Sequence, residues 1–282
     1  VDGKEVFVMN VMEIEGRVAV ITGAAGGIGS AVARLFDSRG CSLVLTDIDE
    51  KGLRDTVGGL SRRHIYVVCD ITDAGQVKDL MARAAQEFKK IDILVNNAGV
   101  IRPAFFDESD FSDIDLQVQV NLMGPLYCTR AVIEYIDAAK GGSIVTISSL
   151  AGVAPETKSA VYTATKYALR GLGLTLGVEL RRHKIRVSTV FPDSVNTPML
   201  AYEATHNGSP LTFLSTPVEP EDIAGAVLKA VRTGRTEIYV PASGAFVAKL
   251  IGLFPGIIPH VWPILEYMGK KKKPSVSRRL ST

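Results

Sequence analysis

The chain predicts an α/β protein: a single doubly wound domain with a seven-stranded parallel sheet and helices on both faces. Three observations carry that expectation. Short β-branched runs alternate with longer amphipathic stretches from residue 17 to residue 240, the pattern of successive right-handed βαβ units. The first six runs are apolar on both faces, as strands covered by helices on each side must be. The first of them also passes directly into a glycine-rich turn that opens a helical pattern.

In chain order, strands are expected over 17–22, 42–47, 64–69, 91–96, 143–148, 185–191 and 237–240. Helices are expected over 27–39, 50–62, 74–89, 111–139, 158–182 and 220–233. In the fifth of these, Leu169, Leu172, Leu176 and Leu180 recur on one face. Neither linker nor repeat interrupts the chain up to residue 240, so 12–240 reads as one domain. Residues 241–282 differ in composition and read as an apolar extension with a basic tail.

The bulk numbers narrow the function. With 32 basic and 30 acidic residues among 282, no global field favours nucleic acid. Three dispersed cysteines, Cys41, Cys69 and Cys128, read as reduced core thiols of a cytoplasmic protein, not a disulfide framework. The four histidines share no ligand spacing with each other or with cysteine, so no metal site is expected. Residues 1–10 mix acidic and basic side chains without an apolar run, unlike a secretory leader.

Thr22-Gly-Ala-Ala-Gly-Gly-Ile-Gly29 follows the first strand. Glycines at 23, 27 and 29 let the backbone turn sharply and approach a pyrophosphate, and the helix start supplies free amides. Asp47 ends the second strand, where a carboxylate can accept hydrogen bonds from both ribose hydroxyls. None of the neighbours Gly26, Ile48 and Asp49 is basic, which favours NAD over NADP. Asp47 also suits a helix cap. Asp70 can bond an adenine amino group or cap the next helix, and Asn96-Asn97-Ala98-Gly99 can contact ligand or tie strand ends together.

Tyr162 and Lys166 stand four residues apart on an expected helix, with Ser149 thirteen positions before the tyrosine. One helical turn puts phenol and ammonium on one face. A nearby cation favours the phenolate and lowers a tyrosine pKa, and a hydroxyl at a strand tip can hold a substrate oxygen against the phenol. Ser148 competes with Ser149 for that role.

Together these residues, with Asn121 and Pro192-x-x-Val195-x-Thr197, resemble the short-chain dehydrogenase/reductases over about residues 17–240. The resemblance implies a Rossmann-type domain, commonly a homotetramer or homodimer, that moves a hydride between a nicotinamide and an alcohol carbon. Carried over, it makes Tyr162 the general acid/base, Lys166 its pKa modulator and ribose contact, and Ser149 the group that polarises the substrate oxygen. Asn121 would hold a water linking Lys166 to solvent. The thirteen-residue spacing to Tyr162 selects Ser149 over Ser148. The implied dinucleotide site comprises Gly23, Gly27, Ile28, Gly29, Asp47, Ile48, Asp70, Ile71, Asn97, Ala98, Gly99, Tyr162, Lys166, Pro192, Val195 and Thr197. Asp193 stands where the family usually has glycine, so its side chain either crowds the pocket or faces solvent. Pro125, just after Asn121, removes a helical hydrogen bond and can kink the helix.

Residues 242–268 are rich in Val, Ile, Leu, Phe and Trp and precede Lys270-Lys-Lys-Lys273. Pro255, Pro259 and Pro263 argue against a straight spanning helix. The stretch reads as a cover for the substrate cleft or a neighbouring subunit, or as an anchor on an anionic lipid surface, with 270–282 a disordered tail. Either functional role points to a lipophilic alcohol or ketone. The expected activity is therefore an NAD-dependent dehydrogenase of such substrates. The rivals are a 3-oxoacyl thioester reductase using NADPH and a non-catalytic dinucleotide-binding scaffold.

Overall fold

The computed structural model describes residues 11–62, 64–136, 140–244, 253 and 255–280. The expectation for residues 1–10, the end of the 111–139 helix and most of 245–254 lie outside them. Seven parallel strands are present: β1 (Val18–Thr22), β2 (Ser42–Asp47), β3 (Ile65–Val68), β4 (Ile93–Asn96), β5 (Gly142–Ile147), β6 (Ile185–Pro192) and β7 (Glu237–Val240). Their order is β3-β2-β1-β4-β5-β6-β7. The chain therefore reverses direction across the sheet between β1 and β4, and their carboxyl ends open the crevice where such sheets bind ligands.

The helices are α1 (Gly27–Ser38), α2 (Glu50–Gly58), α3 (Ala74–Phe88), α4 (Phe111–Val118), α5 (Gly124–Val132), α6 (Ala160–Glu179), α7 (Pro198–Thr205), α8 (Pro220–Thr233) and α9 (Ile258–Leu280). On one face of the sheet, Phe36 of α1 and Ile223 and Val227 of α8 join Ile21, Leu43 and Val95 in a buried cluster. On the other, Leu80 and Met81 of α3 and Val132 of α5 pack with Val20, Leu94 and Ile144. All three cysteines are buried and free. Burial pushes the Cys41 thiol up to about 12 and Cys69 up to about 11, so both stay protonated and unreactive.

Polar side chains set the strand starts later than the apolar pattern suggests. His64 lies outside β3 because its Nδ1 accepts from the Leu43 amide at 3.0 Å and its Nε2 meets Asp37 at 2.8 Å. Asp92 likewise precedes β4, taking the Val18 amide at 2.9 Å, Arg17 at 2.8 Å and Lys90 at 2.9 Å. Burial works to raise the Asp92 pKa, but these three partners hold it below the ordinary carboxylate range.

The single helix expected over 111–139 is not one helix. A π-helical turn at Gln119–Met123 separates α4 from α5, immediately before Pro125, which cannot donate the next helical hydrogen bond. Helix α7 and the 3-10 turn Pro210–Phe213 occupy a stretch with no expected element. The tail expected to be disordered is helical, as α9 continues to Leu280. Helix α9 seats Gly269 on the Pro210 carbonyl, and Lys272 donates to the Leu214 carbonyl at 2.8 Å. No helix among the described residues is long and apolar enough to cross a membrane.

Candidate functional site

At the carboxyl end of β1 the backbone folds back tightly enough to exclude side chains. Gly23 has φ +65°, and a Cβ on Gly29 would enter the shell of the Gly23 carbonyl oxygen and approach Ala24 Cα to 2.9 Å. Asn97, at the end of β4, fastens the turn: its Nδ2 donates to the carbonyls of Thr22 and Gly23 at 3.0 Å each. The Thr22 hydroxyl accepts from the Asn97 and Ala98 amides. No side chain caps α1 at Gly26, so its first amides and positive end face an open cradle. That cradle suits a pyrophosphate.

Asp47 stands at the rim, its Oδ2 accepting from the Ala25 amide at 3.1 Å and its Oδ1 from Asp49 at 3.2 Å. It thus braces the glycine turn from the end of β2. Ile48 beside it is 72% exposed. The bases that follow are engaged one turn along α2, Lys51 with Asp55 and Arg54 with Glu50. Asp70 is occupied by the Thr72 amide and hydroxyl, and Asp73 rather than Asp70 caps α3. Ile71 is buried against Gly124, so it supports α5.

Deeper in the crevice one cleft is lined by Ser149, Tyr162 and Lys166 together with Ile28, Asn97, Gly99, Pro192, Val195 and Thr197. The Ser149 hydroxyl hydrogen-bonds Tyr162 and accepts from the Ala151 amide at 3.1 Å. Ser148 is instead committed to the Lys166 carbonyl at 3.0 Å, which leaves Ser149 as the serine beside the phenol. Lys166 is buried; its Nζ lies 5.3 Å from the centre of the Tyr162 ring and donates to the Ile147 carbonyl at 3.2 Å. The Asn121 amide, on the π-turn, is spent at both ends on Val100, accepting from its N–H and donating to its carbonyl at 2.8 Å each. The irregular helix thereby pins the chain leaving β4.

The electrostatics differ from the expectation of a phenol acidified by Lys166. Burial pushes the Tyr162 pKa up from its ordinary value, Glu203 and Glu156 push it further, and only the Ser149 hydrogen bond opposes them. Burial also brings Lys166 down to about 8. The phenol therefore stands as a neutral proton donor across the neutral pH range.

The two glutamates are site residues that sequence reasoning missed. Glu156 and Glu203 line the same cleft, as do Asp193 and Thr212. Asp193 neither blocks the cleft nor floats in solvent: Ser215 donates to it at 2.9 Å and the Ser194 amide at 2.8 Å. Glu203 lies on α7, whose sequence showed no clear helical period. A carboxylate set inside its apolar run, and another just before the Tyr-x-x-x-Lys helix, were the available signals. Helix α9 contributes no described side chain to the cleft wall. It packs on the Pro210–Phe213 turn that does, so its described residues back the wall; the cover expected of 242–268 falls partly on residues outside the described ones.

The model of the short chain dehydrogenase family matches residues 17–208. A 3-oxoacyl-[acyl-carrier-protein] reductase from Thermotoga maritima is 34% identical over 226 residues, spanning 77% of this chain and 91% of that protein. Among solved structures, a short chain dehydrogenase/reductase from Burkholderia phymatum in complex with NAD superposes with a TM-score of 0.77 at 28% identity, covering 85% of this chain and 94% of that one. A 3-ketoacyl-(acyl-carrier-protein) reductase from Brucella melitensis complexed with NADH gives 0.74 at 29% identity, over 80% and 97%.

Proposed function

The chain belongs to the short chain dehydrogenase family, and from that premise we propose that it interconverts a lipophilic secondary alcohol and its ketone with NAD(H). The observation that carries this reading is one cleft, reached from the glycine cradle, in which Ser149, Tyr162 and Lys166 meet an apolar wall of Ile101, Leu150, Met199 and Leu200. Gly23, Gly27 and Gly29 would seat the pyrophosphate, Asp47 the adenosine ribose, and Val195 and Thr197 the nicotinamide end. When bound, the dinucleotide supplies or receives the hydride. Tyr162 gives its phenolic proton to the carbonyl oxygen in reduction and takes it back in oxidation. Ser149 holds that oxygen by a hydrogen bond, and Lys166 supplies positive charge beneath the phenol. The raised phenol pKa suits the reductive direction, in which the group must donate.

Asp47, with Lys51 and Arg54 already paired, supports NAD over NADP, because a 2′-phosphate would meet a carboxylate and, among the described residues, no unpaired neighbouring cation. The likeness to 3-oxoacyl reductases supports a second reading, reduction of an acyl thioester with NADPH. Two tests decide between them. NADH should bind tighter than NADPH by at least ~1.4 kcal/mol, a tenfold ratio, in fluorescence titrations. Turnover of secondary alcohols with NAD should exceed that of a 3-oxoacyl thioester with NADPH. The reverse ranking in both overturns the proposal. Tyr162→Phe should cost ~10²–10⁴-fold in rate with dinucleotide affinity retained; near-normal turnover would remove the phenol from the mechanism.

The outer surface supports a homo-oligomer. Phe111 on α4 is 86% exposed and Val178 on α6 is 71% exposed, with Tyr167 and Leu174 also exposed on α6. Such apolar residues on adjoining helices suit burial against a second copy.

A further inference from the structure

The cleft is not uniformly apolar. Glu156, Asp193 and Glu203 reach it from the loop before α6, the turn after β6, and α7. Asp193 is held by its two serine contacts. Glu203 is 7% exposed and accepts from the Thr212 hydroxyl at 3.2 Å. Glu156 has no hydrogen-bond partner among the described residues. Facing these three carboxyls inside the cleft are the Lys166 ammonium and the neutral Tyr162 phenol. Lys273 of α9, which lies over the Phe213 ring, also acts on Glu203 and works to lower its pKa. The cleft is therefore lined by more acidic residues than basic ones.

Glu203, more than nine-tenths buried with a single described hydrogen bond for its two oxygens, is costly as a packing residue, and an apolar side chain in its place would pack better. The cost disappears when a cation enters beside it. Among the described residues the cleft has no aromatic face other than Tyr162, and a quaternary ammonium is held best by several such faces. Carboxylate oxygens instead match the N–H donors of a primary amine. We infer that the substrate is an alcohol or ketone bearing a protonated primary amine, received by Glu156 and Glu203, with Ile101, Leu150 and Met199 against its apolar body. This rests on the proposed oxidoreductase reading and names its substrate class. Burial and mutual repulsion push Glu156 up to about 8, and burial pushes Glu203 up to about 7, so the empty cleft resists full ionisation until a cation arrives.

The test uses the full chain saturated with dinucleotide. Octylammonium and 1-octanol are titrated calorimetrically at about pH 6 and about pH 8.5 into wild type, Glu156→Gln and Glu203→Gln. In parallel, 1-amino-2-octanol and 2-octanol are assayed for turnover with NAD and with NADP. At the higher pH octylammonium should bind at least ~10-fold tighter than octanol. That preference should shrink at the lower pH, where the glutamates hold protons, and fall in each Gln variant. Lys166, at about 8, loses charge over the same range, so the Gln variants separate its contribution. Equal binding of the two ligands at the higher pH, or a preference untouched by both substitutions, overturns the inference. Turnover of 2-octanol without any ammonium preference would leave the oxidoreductase reading standing and sink this one. Ammonium preference lost in the variants, with no alcohol turned over, would do the opposite. Should Glu203→Gln not fold, Glu156→Gln decides alone, because it removes no hydrogen bond.

Discussion

Replacing Gly29 by alanine tests the dinucleotide cradle directly. The added methyl would enter the shell of the Gly23 carbonyl oxygen, approach the Asn97 amide nitrogen to 2.8 Å and Ala24 Cα to 2.9 Å. Two of these neighbours are backbone, and the third is fastened to two carbonyls, so none can swing aside. The turn itself has to open. Overpacking of this kind costs ~1–3 kcal/mol, and where the strain falls on the amides that would hold a pyrophosphate it translates to ~5–150-fold in dinucleotide Kd. Fluorescence titration of NADH and a thermal melt without ligand measure the two parts. Gly225→Ala on α8 provides the control, since a Cβ there meets nothing within 4 Å. It should stabilise the helix by ~0.5–1 kcal/mol and leave NADH affinity unchanged. If Gly29→Ala binds NADH within about twofold of wild type, the tight turn is not the phosphate site.

Two further outcomes follow from burial. Glu156 rises from 4.5 in the unfolded chain to about 8 in the fold, so between these values the unfolded state releases a proton that the folded state keeps. Stability is then full at low pH and lost as pH rises through about 8; Glu156→Gln should flatten that decline. With ~1 kcal/mol for a partly buried unpartnered group and ~2–4 °C per kcal/mol, the variant should melt a few degrees above wild type near pH 9 in melts without ligand. An unchanged pH dependence would mean that water reaches the carboxyl freely. Val178→Asp should dissociate the oligomer proposed across α4 and α6, read by light scattering, while a retained assembly would place the interface elsewhere.

The sheet was legible because its strands are covered on both faces and carry their β-branched runs without interruption. All seven strands fall where the pattern puts them, and the edges differ where a polar side chain intervenes, as at His64 and Asp92. The break at Asn121 was half legible. Pro125 announced a disturbance, but the π-turn depends on the Asn121 amide finding both polar atoms of Val100, a contact that no local pattern records. The placement of Ser149, Tyr162 and Lys166 in one cleft was legible from spacing. Their electrostatics were not, because burial is the largest influence on the phenol and the charged groups that add to it lie 41 residues downstream, at Glu203, and six upstream, at Glu156. Helix α7 was illegible for a related reason: it is short, and it is stabilised by the Pro210–Phe213 turn and α9 instead of by its own amphipathic period.

These acidic groups tie substrate choice to the proton-transfer step. In the empty cleft burial, with Glu203 and Glu156 adding to it, raises the phenol pKa, so the two carboxyls work against the proton-accepting phenolate that alcohol oxidation would require. A ligand ammonium between them offsets the field that they exert on Tyr162, since its positive charge lowers the phenol pKa where the carboxylates raise it. Burial of the phenol remains, but its repulsive part is removed only when an amine is present. A neutral alcohol of the same length leaves that repulsion in place, so it meets a proton acceptor that is harder to form. Discrimination would then show in the catalytic step as well as in binding, because the charge that recognises the substrate is the charge that sets the acid.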